Sequence, residues 1–219
     1  VRPLTNSDYP DMIILSDPTL LKAVGQEQRT LGRRIGFVPT MGALHAGHLA
    51  LVERCLEACE VSVASIFVNP TQFNDPTDLE HYPMTLQTDL ALLEELEADL
   101  VFTPSVEEMY PEEDLQSFDL GGLDRILEGR QRKGHFQGVA QIVSKLFQLC
   151  TPHRAYFGQK DFQQLVIVSR LVKLLHMQIE IVACPIVREA DGLAMSSRNV
   201  KLNAGDRKLA PFIYTTLKE

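Results

Sequence analysis

Two histidines close together in the sequence, His45 and His48, are the residues best suited to chemistry in this chain. They lie between the apolar run Ile35–Pro39 and a segment of helical period that begins near Gly47. A glycine there lets the backbone approach a phosphate closely, and the amino end of a helix offers free N–H groups and the positive end of its dipole. Two imidazoles in that place can donate hydrogen bonds to a phosphate as negative charge builds on it. The same residues have other possible roles: one histidine could only cap the helix while the other packs in the core, or the pair could bind a metal. The strand–turn–helix context favours the phosphate site.

Cations and hydroxyl groups recur in two later segments. Gly158 ends a predicted strand and is followed by Lys160, a point charge for phosphate, and Asp161, a candidate helix N-cap. The sequence Ser196-Ser-Arg-Asn199 then places two hydroxyls and a guanidinium in one loop. Together with the two histidines, this loop resembles the paired signatures of nucleotidyl-transferring enzymes, in which the second signature closes over a triphosphate.

Two further segments could bind a ligand, but a purely structural role explains each of them equally well. Asn69 and Gln72, on either side of a proline turn, would hydrogen-bond a small hydroxylated substrate, although turn chemistry alone accounts for the Asn-Pro pair. The basic segment Arg130–Lys133 precedes Gly134 and could hold a polyphosphate, but a solvated basic loop fits equally well. These residues point to a ligand only in combination with the histidine motif.

Short apolar runs alternate with segments of helical period, which predicts the elements that must position these residues. Strands are predicted over Ile35–Pro39, Val61–Val68, Asp99–Thr103, Arg154–Phe157 and Ile179–Cys184, and helices over about Gly47–Glu60, Leu86–Glu97, Val139–Cys150, Asp161–Leu175 and Asp206–Leu217. This order predicts an α/β fold, a Rossmann-like parallel sheet with helices on both faces, in which ligands bind beyond the carboxyl ends of the strands. We expect residues 1–186 to form this domain and residues 187–219 to begin a small C-terminal lid domain.

The composition limits the classes of function. With 45% hydrophobic and 23% charged residues, the chain is typical of a globular protein with a sizeable core. Its 21 Lys and Arg against 29 Asp and Glu give a formal net charge of −8, which argues against broad binding to nucleic acid or to an anionic membrane. No run approaches the roughly 18–20 apolar residues of a membrane span, and Val1–Pro10 lacks the apolar centre of a signal peptide. The four scattered cysteines do not form a disulfide framework, so we expect a cytoplasmic protein.

Several separated motifs, taken in order, resemble those of the pantoate–β-alanine ligase family. They are Val38-Pro-Thr-Met-Gly-Ala-Leu-His-Ala-Gly-His48, Ser65-Ile-Phe-Val-Asn-Pro-Thr-Gln-Phe73, Tyr82-Pro83, Gly134-His-Phe136, Tyr156-Phe-Gly-Gln-Lys-Asp-Phe-Gln-Gln164 and Met195-Ser-Ser-Arg-Asn199. The resemblance covers nearly the whole chain from about Ile13. It implies that ATP and pantoate give pantoyl adenylate and pyrophosphate with Mg²⁺, after which the amine of β-alanine releases AMP and forms pantothenate.

The resemblance also implies roles for individual residues. It places the ATP phosphates on His45, His48, Lys160, Ser196, Ser197 and Arg198, the rest of the nucleotide near Thr40, Met41, Gly158, Asp161, Val187 and Met195, pantoate on Gln72 and Gln164, and the acyl or amine group near Asn69, Tyr82 and Arg132. Asp89 matches the position expected to help to hold Mg²⁺, although an aspartate on a helix face is more often only solvated. A homodimer is implied as well, and we expect it also because Val61–Val68 is an unusually apolar strand.

The chain departs from the family pattern in three respects. Lys133 stands where the family usually has proline, and Gln137 stands where it usually has arginine, which changes the expected phosphate loop. Family members also continue beyond the position of Glu219 into a C-terminal lid domain, so the resemblance implies a truncated chain here. We expect a form of this length to turn over slowly.

Two other functions fit parts of the pattern. Another nucleotidyltransferase with the same histidine motif would make a nucleotide conjugate without consuming an amine, but it has no evident reason to carry Asn69, Gln72 and Gln164. A truncated, dimerising ATP-binding module would bind the nucleotide without turnover. Pantoate-dependent release of pyrophosphate and β-alanine-dependent release of AMP separate these alternatives from the ligase.

Overall fold

A computed structural model describes residues 12–218, so the segment Val1–Pro10 on which the signal-peptide prediction rests lies outside the described residues. The strands are β1 (Ile13–Leu15), β2 (Ile35–Thr40), β3 (Val61–Ile66), β4 (Leu100–Phe102), β5 (Arg154–Gly158) and β6 (Glu180–Cys184). The helices are α1 (Pro18–Thr30), α2 (Ala46–Ala58), α3 (Pro76–Glu80), α4 (Leu86–Glu95), α5 (Val106–Met109), α6 (Leu127–Gln131), α7 (His135–Cys150), α8 (Phe162–Leu174), α9 (Ala204–Leu209) and α10 (Pro211–Lys218). Short 3₁₀ turns follow β3 and β5, over Pro70–Gln72 and Gln159–Asp161.

The six strands form one parallel sheet in the order β1-β4-β3-β2-β5-β6. Strand β2 pairs with β3 from Ile35 opposite Val61 to Thr40 opposite Ile66, and on its other side it pairs with β5. The chain therefore builds outwards from β2 in one direction through β3 and β4, and in the other through β5 and β6. Such a reversal of strand order is where ligands bind in open α/β sheets. The predicted α/β class with helices on both faces is confirmed.

Two apolar clusters cover the two faces of the sheet. Helices α1, α7 and α8 pack on one face with side chains such as Leu21, Phe147 and Leu171. Helices α2 and α4 pack on the other through residues such as Val52 and Leu90. Both faces of the central strands are consequently buried, as the continuous apolar runs of parallel strands require.

The predicted helices and strands need several corrections. The predicted elements omit β1, α1 and the short helices α3, α5 and α6. Asp17 caps α1 and Pro18 occupies its first turn, which is a recognisable start signal. Helix α7 begins at His135 and not at Val139, because Gly134, with φ of 81°, turns the chain directly into it. The single C-terminal helix is instead two, since Pro211 cannot continue the hydrogen bonding of α9 and starts α10.

The apolar strand β3 does not support the expected homodimer, which stays a prediction. It lies inside the sheet between β2 and β4, and Val61 to Ser65 are buried. Its composition is that of an interior parallel strand.

The described residues after β6 add no strand to the sheet, and a division of the chain at residue 187 stays a prediction. Within residues 12–218, no helix combines the length and apolar character that crossing a bilayer requires.

Phe147 is central to the core, and we predict that Phe147→Ala lowers the free energy of unfolding by about 3–5 kcal/mol. The ring of Phe147 is 1% exposed and meets Phe37 and Phe157 edge-on, with ring centroids 6.2 and 6.4 Å apart. Its removal leaves a cavity between α7 and the sheet. Urea denaturation measures the effect, with Leu20→Ala on the exposed side of α1 as the control. A loss under about 1 kcal/mol for Phe147→Ala would contradict this packing.

Candidate active site

A cleft opens at the carboxyl edge of the sheet, where the chain leaves β2 and β5. The helix that follows β2 packs on one face of the sheet and the helix that follows β5 packs on the other. The cleft is lined by predicted site residues from several strand exits: Thr40, Met41, His45, His48, Asn69, Gln72, Tyr82, Arg132, Gly158, Lys160, Asp161, Gln164, Ser196, Ser197 and Arg198. Of the predicted set, Val187, Met195 and Asp89 do not line it. An added Cβ at Gly158 would meet no atom within 4 Å, so this glycine leaves the cleft open beside Lys160.

His45 and His48 cap helix α2 reciprocally. The N–H of Gly47 donates to Nδ1 of His45 at 3.1 Å, and the N–H of His45 donates to Nδ1 of His48 at 3.4 Å. Each ring therefore accepts through Nδ1, which assigns the proton of a neutral imidazole to Nε2. The structure shows the capping interpretation, and capping does not exclude the phosphate interpretation, because it uses one nitrogen of each ring and leaves an N–H donor on the other.

Both imidazoles are held neutral. Burial lowers the pKa of His48 to about 3, and the nearby His45 and Lys160 add to the effect. Burial also lowers the pKa of His45, with a further contribution from Lys160. The two rings stack with centroids 4.1 Å apart, an arrangement that would be costly if both were charged.

Carboxylates already pair with the cations on this side of the cleft. Nη2 of Arg198 lies 2.7 Å from Oδ2 of Asp78, and Lys201 contacts the same carboxylate at 3.2 Å. These contacts lower the pKa of Asp78. Lys160 lies 3.6 Å from Asp161. The loop that carries Arg198 is thus tied to helix α3, a contact that no pattern in the sequence indicates.

Val187 and Met195 form the base of a hairpin that carries the serine–arginine loop. The N–H of Met195 donates to the carbonyl of Val187 at 3.0 Å, next to the antiparallel bridge between Arg188 and Ala194. Met195 also lies above the amino end of α2, since its Cβ would be 3.8 Å from a Cβ added at Gly47. The two residues thus support this wall of the cleft from outside.

At the other end of the cleft, Asn69 is buried and its amide is fully used. Its Oδ1 accepts from Tyr110 and Thr71 at 2.8 and 3.2 Å, and its Nδ2 donates to Gln72 and to the carbonyl of Gly138, both at 3.2 Å. An amide side chain has two donor and two acceptor positions, so no hydrogen bond remains for a ligand. Asn69 therefore holds Gln72 in place. The Nε2 of Gln72 contacts a weak acceptor there, Sδ of Met41, at 2.9 Å.

His135 links the backbone of Gln72 to the side chain of Arg132 by hydrogen bonds. His135 is assigned no role in the sequence analysis. Its ring is 5% exposed, with Nδ1 2.7 Å from the carbonyl of Gln72 and Nε2 3.2 Å from Nη1 of Arg132. A carbonyl only accepts, so Nδ1 carries the proton and Nε2 accepts from the guanidinium. Burial lowers the pKa of His135, in keeping with this neutral form. Arg132 also pairs with Glu128 at 2.8 Å.

Helix α7 approaches the turn over Pro70–Gln72 so closely that only glycine fits at position 138. A Cβ there would collide with the carbonyl of Thr71 and lie 2.6 Å from the N of Gln72. Gly138 therefore serves this helix contact. Arg130 and Lys133 are exposed, and Gln137 faces away from the cleft, where it bonds Phe118 at 2.9 and 3.0 Å. The departures at 133 and 137 thus lie outside the cleft lining.

Asp89 lies beneath the loop between β2 and α2 and is 1% exposed, so it is not a solvated helix residue. It accepts the N–H groups of Ala43 and Leu44 at 2.9 and 2.8 Å and the hydroxyl of Thr85 at 3.2 Å. Within residues 12–218, no group of three or more His, Cys, Asp or Glu side chains could hold a metal ion. Asp89 therefore belongs to no cluster of three such side chains in this part of the chain.

Comparison with known proteins gives one consistent result. A family model described as pantoate-beta-alanine ligase matches residues 13–219. A pantothenate synthetase of Porphyromonas gingivalis is 54% identical over 202 residues, which is 92% of this chain and 72% of the relative. One of Bacteroides fragilis is 58% identical over 186 residues, which is 85% of this chain and 66% of the relative.

Solved structures are similar as well. The crystal structure of the pantothenate synthetase of Thermus thermophilus has a TM-score of 0.86 and 49% identity, and the match covers 93% of this chain and 72% of that one. A pantoate-beta-alanine ligase of Francisella tularensis, solved in complex with beta-gamma ATP and beta-alanine, has a TM-score of 0.89 and 40% identity, with 95% and 80% covered.

The lowered pKa of His48 predicts an acid-sensitive fold. The unfolded chain takes up a proton at this ring below about pH 6.5, whereas the folded protein takes one up only near pH 3. Protons therefore bind the unfolded chain in preference to the folded protein between these two values. The free energy of unfolding is unaffected by this ring above pH 6.5, and it falls by up to about 1.4 kcal/mol per pH unit as the pH decreases towards 3.

The prediction is tested by urea unfolding between about pH 7 and 4, within the range over which the ring of the unfolded chain titrates. His48→Gln keeps an acceptor for the N–H of His45 but does not titrate, and its stability should fall less steeply than that of the wild type. His81→Gln, at an exposed histidine, is the control and should not flatten the curve. Equal slopes for wild type and His48→Gln would contradict the buried neutral ring.

Proposed function

The chain belongs to the pantoate–β-alanine ligase family, and we propose that the cleft between the exits of β2 and β5 carries out that family's reaction. A carboxylate oxygen of pantoate attacks the α-phosphorus of ATP, and the bond to pyrophosphate breaks. The amine of β-alanine then attacks the acyl carbon of pantoyl adenylate, the bond to the AMP oxygen breaks, and pantothenate leaves after the amine loses a proton.

The observation that carries the proposal is the pair of Nε2–H donors at the amino end of α2. In our proposal they bind the α-phosphate, where charge develops during adenylation, and the dipole of α2 acts on the same atoms. The neutral state of both rings supports this role, because a neutral donor does not lose its proton over the working range of pH. Positioning and charge stabilisation suffice, since adenylation needs no covalent intermediate with the protein.

The other end of the cleft fits a small hydroxy acid. We assign pantoate to Gln72 and Gln164, which line the cleft together with the apolar side chains Phe67, Val139 and Val143. Apolar walls with few amide groups suit a ligand with a branched carbon skeleton and hydroxyls. Arg132, held by His135 and Glu128, is our candidate for the carboxylate of β-alanine, and Tyr82 lines the same cleft.

The phosphate groups of ATP would reach the cations that line the cleft near the histidines. We assign them to Lys160 and to the loop over Ser196, Ser197 and Arg198, with the remaining nucleotide near Thr40, Met41 and Gly158. The hydroxyl of Ser197 lies 3.4 Å from that of Tyr82, so the loop already stands over the cleft. Mg²⁺ is proposed only as an ion that arrives with the nucleotide, because Mg²⁺ commonly binds through substrate phosphates and water.

We also propose a homodimer and a cytoplasmic location. The dimer rests on the family resemblance alone, and sedimentation at micromolar concentration tests it: a mass near 24.6 kDa would contradict it. The location is supported by the four cysteines, all of which are free thiols, as is usual in a reducing compartment.

Removal of either imidazole should slow adenylation. We predict that His45→Ala and His48→Ala each lower the rate of pantoate-dependent pyrophosphate release by about 10²–10³-fold, the cost of one lost donor to a transition state. Release of AMP should require β-alanine in addition. His81→Ala is the matched control at an exposed histidine.

Two results would overturn the proposal. Wild-type rates in both variants would remove the histidines from the chemistry. Pyrophosphate release without pantoate, or a nucleotide conjugate as the final product with no use of β-alanine, would favour a different nucleotidyltransferase.

A further inference from the structure

The backbone before the histidine motif adopts an unusual conformation. Ala43 has φ of 49°, in the left-handed region that residues with a Cβ rarely adopt, and it follows Gly42 at 79°. Two consecutive left-handed residues place the N–H groups of Ala43 and Leu44 on the same side of the chain. The next residue, His45, is the cap of α2.

One carboxylate holds this turn. Oδ2 of Asp89 accepts from the N–H of Ala43 and Oδ1 accepts from that of Leu44, at 2.9 and 2.8 Å. A Cβ added at Gly42 would lie 2.9 Å from the same carboxylate, so a side chain at position 42 would collide with Asp89. The hydroxyl of Thr85, at the start of α4, lies 3.2 Å from both oxygens of Asp89.

We propose that Asp89 is a positioning residue, which sets the direction of the His45 and His48 rings by holding the left-handed turn in front of them. This proposal rests on the adenylation proposed above, and it replaces the metal role implied for Asp89 by resemblance. A carboxylate that is 1% exposed and accepts from two backbone N–H groups and a hydroxyl is engaged within the protein. Such supporting contacts matter because a displacement of about 1 Å at a reacting group can cost about 10²-fold in rate.

The first test is Asp89→Asn, which replaces one accepting oxygen by an NH₂ group facing a backbone N–H. We expect kcat for pyrophosphate release to fall about 10–100-fold, while KM for ATP and the Mg²⁺ concentration for half-maximal rate change less than about twofold. If Asp89 acts through the histidines, Asp89→Asn combined with His48→Ala should be no slower than His48→Ala alone. A raised Mg²⁺ requirement that excess Mg²⁺ corrects, or losses that multiply in the double variant, would overturn the proposal.

Asp99→Asn is the matched control. Asp99 also accepts a backbone N–H and a hydroxyl, both from Ser62, at 2.8 and 2.7 Å, but it lies just before β4, at the amino edge of the sheet. Its loss should affect stability and leave kcat within about twofold, because it holds no group of the cleft. Equal loss of kcat in the two variants would indicate a general weakening of the fold and would also overturn the proposal.

A second pair of variants covers the case in which Asp89→Asn does not fold. Thr85→Val removes the hydroxyl that fixes the carboxylate and keeps the shape of the side chain. It should lower kcat about threefold, and Thr85→Ser, which retains the hydroxyl, should recover the loss. Equal rates for the two variants would contradict the role of this contact.

A spectroscopic measurement separates this proposal from the reaction itself. Nitrogen NMR of the histidine rings should show the Nε2–H form at His45 and His48 in the wild type and in Asp99→Asn, and a mixture of forms in Asp89→Asn or Thr85→Val. Backbone amide exchange at Ala43 and Leu44 should accelerate in the same two variants. If the wild type releases no pyrophosphate, the proposed function fails, but these signals still decide the role of Asp89: unchanged rings in Asp89→Asn would overturn it.

Discussion

The position of β2 between β3 and β5 is the constraint on which the site depends. The helix that follows β2 must cover one face of the sheet and the helix that follows β5 must cover the other, so the two exits diverge and leave a crevice that no helix within residues 12–218 fills. Because the strands are parallel, every exit opens at the same edge. Residues far apart in the sequence, such as His45 and Lys160, therefore meet in one cleft without any long loop to carry them.

Within that crevice, structural and chemical demands are met by the same atoms. The amino end of α2 has N–H groups that need acceptors, and the Nδ1 atoms of His45 and His48 supply them. An imidazole that accepts at Nδ1 and stays neutral must carry its proton on Nε2. The tautomer that the proposed phosphate donor requires thus follows from helix capping. Asn69 shows the converse case, because its hydrogen-bonding capacity is used entirely by the protein.

Most of the longer elements and the residues of the cleft could be predicted from the sequence, because apolar runs and strand exits are local patterns. Helix α1, with 13 residues, is an exception. The same patterns did not predict β1, which has only three residues, or the interior place of β3, which depends on strand order. Contacts between residues far apart in the sequence could not be predicted either. The bonds from Asp89 to Ala43 and Leu44 join residues 46 and 45 positions apart, and those from Asp78 to Arg198 join residues 120 apart. A helix-face aspartate looks solvated until its neighbours in space are known.

The ion pairs in the cleft have a consequence for how an anion enters. Arg198, Lys160 and Arg132 each have a carboxylate partner already, namely Asp78, Asp161 and Glu128. A phosphate or carboxylate ligand that bound one of them would replace a resident anion, so its affinity would reflect the difference between two ion pairs. Partly exposed pairs such as these are worth at most about 1 kcal/mol, which makes the exchange inexpensive. An acidic protein can in this way keep several cations in one small cleft, because each paired carboxylate offsets their mutual repulsion.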